Sequence, residues 1–373
     1  MISSQDNATR SRPREQWADN LRVAVIAGVI VVHTATAYVV DIPWYYNDER
    51  TTAGVVPMLL SPLVLMGALF ALGPLFLLAG WFSARSLARR GPGGLPARSR
   101  LLRLGVPSLV YVLLINPLTD YLGHGRHEHR SLVSYLATTE VSVMWFVAAL
   151  LAFSVAYAAL RCVRPAAPPR PLRPGLLAAA ALAIAVGSFA VWQPWPVLGD
   201  TFLNLKWGEW PQGAVLFALG VHAAETGWLQ DFPPVLARRL GWVAAAGVAA
   251  LMALMLYLVL ARGKDQALAM GADAPTMAFA LLDGVIAVTG TLWFLYWLRR
   301  RWLTHGPLLG KAARASYATY FIHPLVLTAV MVAFASVALV PEIKFVLVAA
   351  AGVVACYTAG YALTRVSGIS TVL

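Results

Sequence analysis

The stretch DNLRVAVIAGVIVVHTATAY, residues 19–38, decides how the chain is read. It is apolar over about the 20 residues that a helix needs to cross a bilayer. Arg22 stands at its entry and His33 inside it. That interval is about three helical turns, so the two side chains share nearly one face, roughly 16 Å apart along the axis. An ionisable group inside an apolar span is costly and points to function. Imidazole can take a proton from a hydroxyl near neutral pH, or carry an acyl group as a nucleophile. A histidine hydrogen-bonded to a neighbouring helix is the plainer alternative. Arg22 could clamp an anion through its planar fork. It could equally be a membrane-edge anchor paired with Asp19, three residues earlier.

Composition extends this reading to the whole chain. Of 373 residues, 59% are hydrophobic and 12% charged, with mean hydropathy +0.68. Soluble domains carry about twice that charge fraction. The expected fold is therefore all-α, a polytopic membrane helical bundle. Cys162 and Cys356 lie in or beside different apolar segments, which excludes a disulfide framework and a CxxC-type metal site. The net charge of +12 sits in short loops between apolar segments. Membrane orientation accounts for it, and nucleic acid is not expected as a partner. The N-terminus is polar through Asn20 without a cleavable signal pattern, so the first span is expected to be retained.

About ten transmembrane helices can be placed, at 22–40, 57–82, 103–119, 142–161, 176–192, 208–224, 240–260, 276–298, 308–333 and 343–364. The sixth is the shortest in its apolar part. With it, 22 Lys and Arg fall on the side of the N-terminus and 7 on the other; without it the split is 17 to 12. The positive-inside rule favours ten spans with both termini cytoplasmic. The expected organisation is a tail over 1–21, a transmembrane domain over 22–365 and a tail over 366–373. The setting expected is the inner or plasma membrane of a bacterial cell, with a homo-oligomer allowed.

Further residues could carry chemistry. Arg100 and Arg103 converge where a loop enters the third span, which suits a polyphosphate or anionic lipid headgroups. The ninth span reads Ser316-Tyr317-x-x-Tyr320-x-x-His323-Pro324, placing Ser316, Tyr320 and His323 on one face. Pro324 frees a backbone carbonyl there. Asp283, about two turns into the eighth span, could orient a histidine or bind a substrate hydroxyl. Trp145-Phe146 opens the fourth span, and Trp44, Tyr45 and Tyr46 fill the first outer loop beside Asp48; an interfacial aromatic belt explains both. His124, His127 and His129 fall in a loop without a firm fourth ligand, so no metal is expected.

Together these features resemble the acyltransferase-3 family of integral-membrane O-acyltransferases, and look closest to its glucan biosynthesis protein C-like branch. The family pattern of Arg, ten residues, then His is matched by Arg22 and His33, after Asp19. The aromatic segment closing its second span is matched by Pro74 to Phe82, with Ala79 where many members have Ser. Arg-x-x-Arg is matched by Arg100 and Arg103, followed by Pro107. The Trp-Phe pair is matched by Trp145 and Phe146. Ser-Tyr-x-x-Tyr-x-x-His is matched by Ser316, Tyr317, Tyr320 and His323. The fused esterase-like domain of some longer members is not expected here.

The resemblance implies transfer of an acyl group, such as acetyl or succinyl, from acyl-CoA to a hydroxyl of a glycan or glycosylated molecule. It implies His33, His323 and Tyr320 as catalytic residues and Arg22, Arg100 and Arg103 as holders of the acyl-CoA phosphates. Trp44, Trp145, Asp283 and Tyr317 are the candidates for acceptor contact. The competing classes are a transporter or flippase of a glycolipid or small solute, and a tailoring acyltransferase of a secreted natural product such as a macrolide.

Overall fold

Proline placement explains where the helices of this chain break and which carbonyls they release. The structure, a computed structural model, describes residues 16–39, 44–48, 55–90, 101–128, 131–136, 140–166, 168, 170–195, 202–263, 271–302 and 306–368. Arg100 and His129 lie outside these, as do the side chains of His127 and Glu128. The described part contains helices and no strand.

Helix α1 spans Gln16–Thr36, beginning a turn and a half before the expected span. Helices α2 (Val55–Phe70) and α3 (Gly73–Arg90) replace the single second span. The break has a local cause. Pro74 has no N–H to return to the Phe70 carbonyl, and the chain turns at 71–72. Gln212 donates to the nearby Leu69 carbonyl at 2.5 Å.

Helix α4 is a composite: π-helical Leu101–Gly105 and Tyr111–Ile115 alternate with α-helical Val106–Val110 and Asn116–Glu128. It runs on through His124, where a loop was expected. His124 pairs with Asp120 one turn earlier at 2.8 Å, which gives this residue a structural partner and a helical register.

Short α5 (Leu132–Leu136) precedes α6 (Trp145–Val163). Then follow α7 (Pro174–Trp192), α8 (Trp210–Thr226), α9 (Pro234–Arg262), α10 (Ala274–Arg301), α11 (Pro307–Phe334) and α12 (Pro341–Leu363).

Among the described residues nine helices, with α2 and α3 taken as one, are long and apolar enough to cross a membrane. Helix α8, the short sixth segment, has 17 residues. It nevertheless lies parallel to α3 and pairs with it closely. Gly73 meets Leu216 and Gln212, Gly213 meets Phe76, and Gly220 meets Leu77. Two glycines allow this approach: a Cβ on Gly80 would overlap the Phe217 carbonyl, and one on Gly220 the Leu77 carbonyl. Among the described residues nine such helices thus stand where about ten spans were expected, because α8 is too short to be counted although it packs alongside α3.

Helix α1 is the inner post, packed on α2, α11 and α12. Even its polar first turn is covered, with Asp19 and Asn20 buried. Asn20 donates to the Trp302 carbonyl at 2.8 Å, and the Arg299 guanidinium lies over Trp17 at 5.3 Å. These contacts tie the start of α1 to the end of α10 on one side of the bundle. On the opposite side Lys344, in the first turn of α12, reaches Asp48 at 2.6 Å, with both side chains about 5% exposed.

Candidate active site

A helix carbonyl without its usual partner starts the arrangement. In an α-helix the Tyr320 carbonyl would accept from the N–H of residue 324, but residue 324 is proline. The free carbonyl is taken by the His323 ring, whose Nδ1 lies 2.6 Å away. His323 is fully buried. Its Nε2 in turn meets Nδ1 of His33 at 3.0 Å. The two rings lie within 2° of parallel with centroids 5.1 Å apart, the spacing of rings meeting edge to edge.

This chain of contacts fixes the protons of the neutral pair. A carbonyl only accepts, so His323 Nδ1 carries hydrogen and its Nε2 is the acceptor. His33 Nδ1 then donates to that acceptor. The remaining nitrogen, His33 Nε2, holds a lone pair and no hydrogen. That atom can take a proton or attack a carbonyl carbon. The carbonyl and His323 play the orienting part that a carboxylate plays in a hydrolase triad.

A loop segment closes over this pair. The Trp44 indole stacks on His33, with centroids 4.1 Å apart and planes at 22°. Neighbouring residues hold Trp44 in place. The Tyr45 hydroxyl bonds to Tyr111 at 3.0 Å, to Ser142 at 2.6 Å and to Asn116. Burial pushes the Tyr45 phenol well above its ordinary pKa, so it stays a protonated donor. The Asp48 N–H donates to the Ala37 carbonyl at 2.8 Å, while its carboxylate takes Lys344. Gly123 leaves the space that the Tyr45 carbonyl fills. Ser142 is itself held at φ +44°, which places the Val143 carbonyl to accept the Tyr320 hydroxyl.

A cavity of about 340 Å³ approaches from the other side. Arg22, Ile26, Ser83, Leu104, Phe146, Ser154, Ser316, Tyr317 and Tyr320 are among its lining residues. Arg22 is paired with Asp19 at 2.9 Å, lies over the Phe82 ring at 5.3 Å and keeps its side chain 39% exposed. The cavity ends against Tyr320 and Phe146, whose rings meet at 5.9 Å. Tyr320 in turn lies 5.5 Å from the His323 ring. Along α1 the lining stops at Ile26, two turns before His33.

The structure thus brings His33, His323, Tyr320 and Trp44 together, and puts Arg22 and Tyr317 on one cavity with Tyr320. Arg103 is exposed and is not among the lining residues, though its neighbour Leu104 is. Pro107 leaves its carbonyl free, and the Tyr317 hydroxyl takes it at 3.2 Å. Trp145 packs against Phe76 at 6.2 Å, and its neighbour Phe146 faces the cavity instead. Asp283 lies apart from the histidines, buried against α7, where Ser188 donates to it at 3.2 Å. No group of three His, Cys, Asp or Glu side chains that could hold a metal occurs among the described residues.

The Asp48–Lys344 tie was not singled out from sequence. Lys344 inside the opening turn of an apolar span was the available signal.

Comparison with known proteins turns this geometry into a family. Neither a curated protein nor a solved structure matches the chain. A family model described as an acyltransferase domain does match, over residues 15–365 and so nearly the whole chain. The chain belongs to the acyltransferase-3 family and is a multi-pass membrane acyltransferase.

Proposed function

We propose that the protein moves a short acyl group from acyl-CoA on the cytoplasmic side to a hydroxyl of a glycan or glycosylated molecule, in the manner of the glucan-modifying branch of the family. The observation that carries the reading is the relay from the Tyr320 carbonyl through His323 to His33, which leaves His33 Nε2 as a base. Arg22, at the entry of α1, supports an anionic donor whose phosphates stay at the membrane edge while its arm follows the cavity. Arg100 and Arg103 are the further candidates to hold the donor phosphates. The distance from Arg22 to His33, about 16 Å along the helix, suits a donor with its charge and its thioester far apart.

The transfer balances without a metal. The acceptor oxygen attacks the thioester carbon as its proton passes to His33 Nε2. The positive charge formed on His33 is shared through Nδ1–H with His323 and the Tyr320 carbonyl. Collapse of the tetrahedral intermediate breaks the C–S bond, and the leaving thiolate takes the proton from His33.

The test uses membranes containing the protein, acyl-labelled acetyl-CoA and succinyl-CoA, and extracted glycans and glycosylated metabolites as separate acceptors. The expected result is thiol release matched by label in one hydroxyl-bearing acceptor. Flux of a glycolipid or solute without thiol release would replace this reading with transport.

A further inference from the structure

We infer that the indole N–H of Trp44 is the hydrogen-bond donor that holds the acyl carbonyl oxygen while transfer takes place at His33. This deepens the reading of His33 as base and rests on it. The observation is a buried donor with nothing to bind. Trp44 Nε1 is enclosed and has no hydrogen-bond partner among the described residues. Natural structures rarely leave such a group unpaired without a use for it. Its ring is stacked on His33 at 4.1 Å, so the N–H leaves the edge of a plate that lies over the reacting imidazole.

The other polar groups tied to this centre are committed. The Tyr320 hydroxyl donates to the Val143 carbonyl, both nitrogens of His323 are used, and the Tyr45 hydroxyl has three partners. Two other enclosed hydroxyls on α11 lack partners, those of Thr319 and Thr328. Thr319 packs against Gly360 and Thr328 against Gly123, on faces turned to other helices. Trp44 is followed by two anchored residues, Tyr45 bonded to Ser142 and Asp48 tied to Lys344. A donor fixed before reaction costs no reorganisation when charge develops, which is what an oxyanion site requires.

The chemistry assigns the donor a definite moment. When the acceptor oxygen bonds to the thioester carbon, the C=O π pair moves to the carbonyl oxygen. The Trp44 N–H donates to that oxyanion until the C–S bond breaks and the C=O re-forms. The indole face also lies over the ring that becomes cationic as it takes the acceptor proton, a cation–π arrangement that the N–H does not itself supply.

The experiment separates the two contributions in the full-length protein in membranes, with acetyl-CoA as the donor probe and thiol release as the readout. Trp44→Phe keeps a ring over His33 and removes the N–H. Benzothienylalanine at position 44 keeps the indole shape and replaces N–H with sulfur, so it reports even where Trp44→Phe fails to accumulate. The expected result for both is a fall in kcat of about 10- to 100-fold, at or just below the loss of one oxyanion donor, with the KM for acetyl-CoA unchanged within about twofold. Wild-type kcat in the sulfur variant overturns the proposal, as does a rise in KM with kcat preserved. A His33→Ala protein with full activity would instead remove the underlying base, whatever the Trp44 variants do.

Discussion

At the scale of single residues, Pro324 is as much a part of the centre as the histidines it serves. It withholds one N–H, and His323 uses the carbonyl that this releases. Pro324→Ala restores the helical donor, which then competes with the His323 ring for the Tyr320 carbonyl. The predicted outcome is a fall of about tenfold or more in kcat. Thermal stability should be unchanged or raised, because alanine suits a helix interior far better than proline. Activity and melting temperature measured on the same preparation check both halves. Arg22, His33 and His323 were legible in the sequence because an ionisable side chain is conspicuous within apolar segments. The packing of Trp44 on His33 was not legible. Aromatic residues in an outer loop also suit an interfacial belt, and only the folded path of residues 44–48 brings the indole back over α1.

At the scale of elements, the segment 44–48 acts as a strap held at Tyr45 and at Asp48. Removing one member of a buried ion pair leaves the other charge uncompensated, at a cost of about 3–5 kcal/mol. Lys344→Met should therefore lower the melting temperature in detergent. The double variant Lys344→Met with Asp48→Asn should recover part of that loss, and additive losses would refute the coupling. Helix α10 offers a pH-dependent counterpart. Asp273 caps it by accepting from the Thr276 N–H at 2.9 Å, and Arg262 reaches the same carboxylate at 2.7 Å. These partners lower its pKa from 3.8 to about 2. A depressed carboxylate stabilises the fold above its unfolded pKa and loses that contribution as pH falls through the folded value. Asp273→Ala should thus cost about 1 kcal/mol at neutral pH, and the difference in melting temperature should shrink as pH approaches 2. The break between α2 and α3 was written in Pro74, yet the even hydropathy on both sides concealed it. The helical course of α4 through His124 was concealed by the opposite effect, since polar residues there read as loop.

At the scale of the whole molecule, the spans were legible because the bilayer imposes length and composition. Helix α8 was harder to read, because it packs on α3 through glycine contacts and has no long apolar run. Two contact sets define the sides of the bundle: Asp48 with Lys344 on one, and Trp17, Asn20, Arg299 and Trp302 on the other. A ten-pass topology with the basic loops inside predicts that single cysteines placed at Ala272 and Arg164 in a Cys162→Ser background react with an impermeant thiol reagent from opposite sides, the second only after permeabilisation. Labelling of both from one side would contradict that topology. The cavity lies along the first half of α1, as far as Ile26, and the strap lies over His33 near its other end. The most direct test of this account is the rate of thiol release from acetyl-CoA by His33→Gln against wild type, at matched abundance in the same membranes. The account predicts a fall of about 100-fold or more, the scale of a lost general base; an unchanged rate would contradict it.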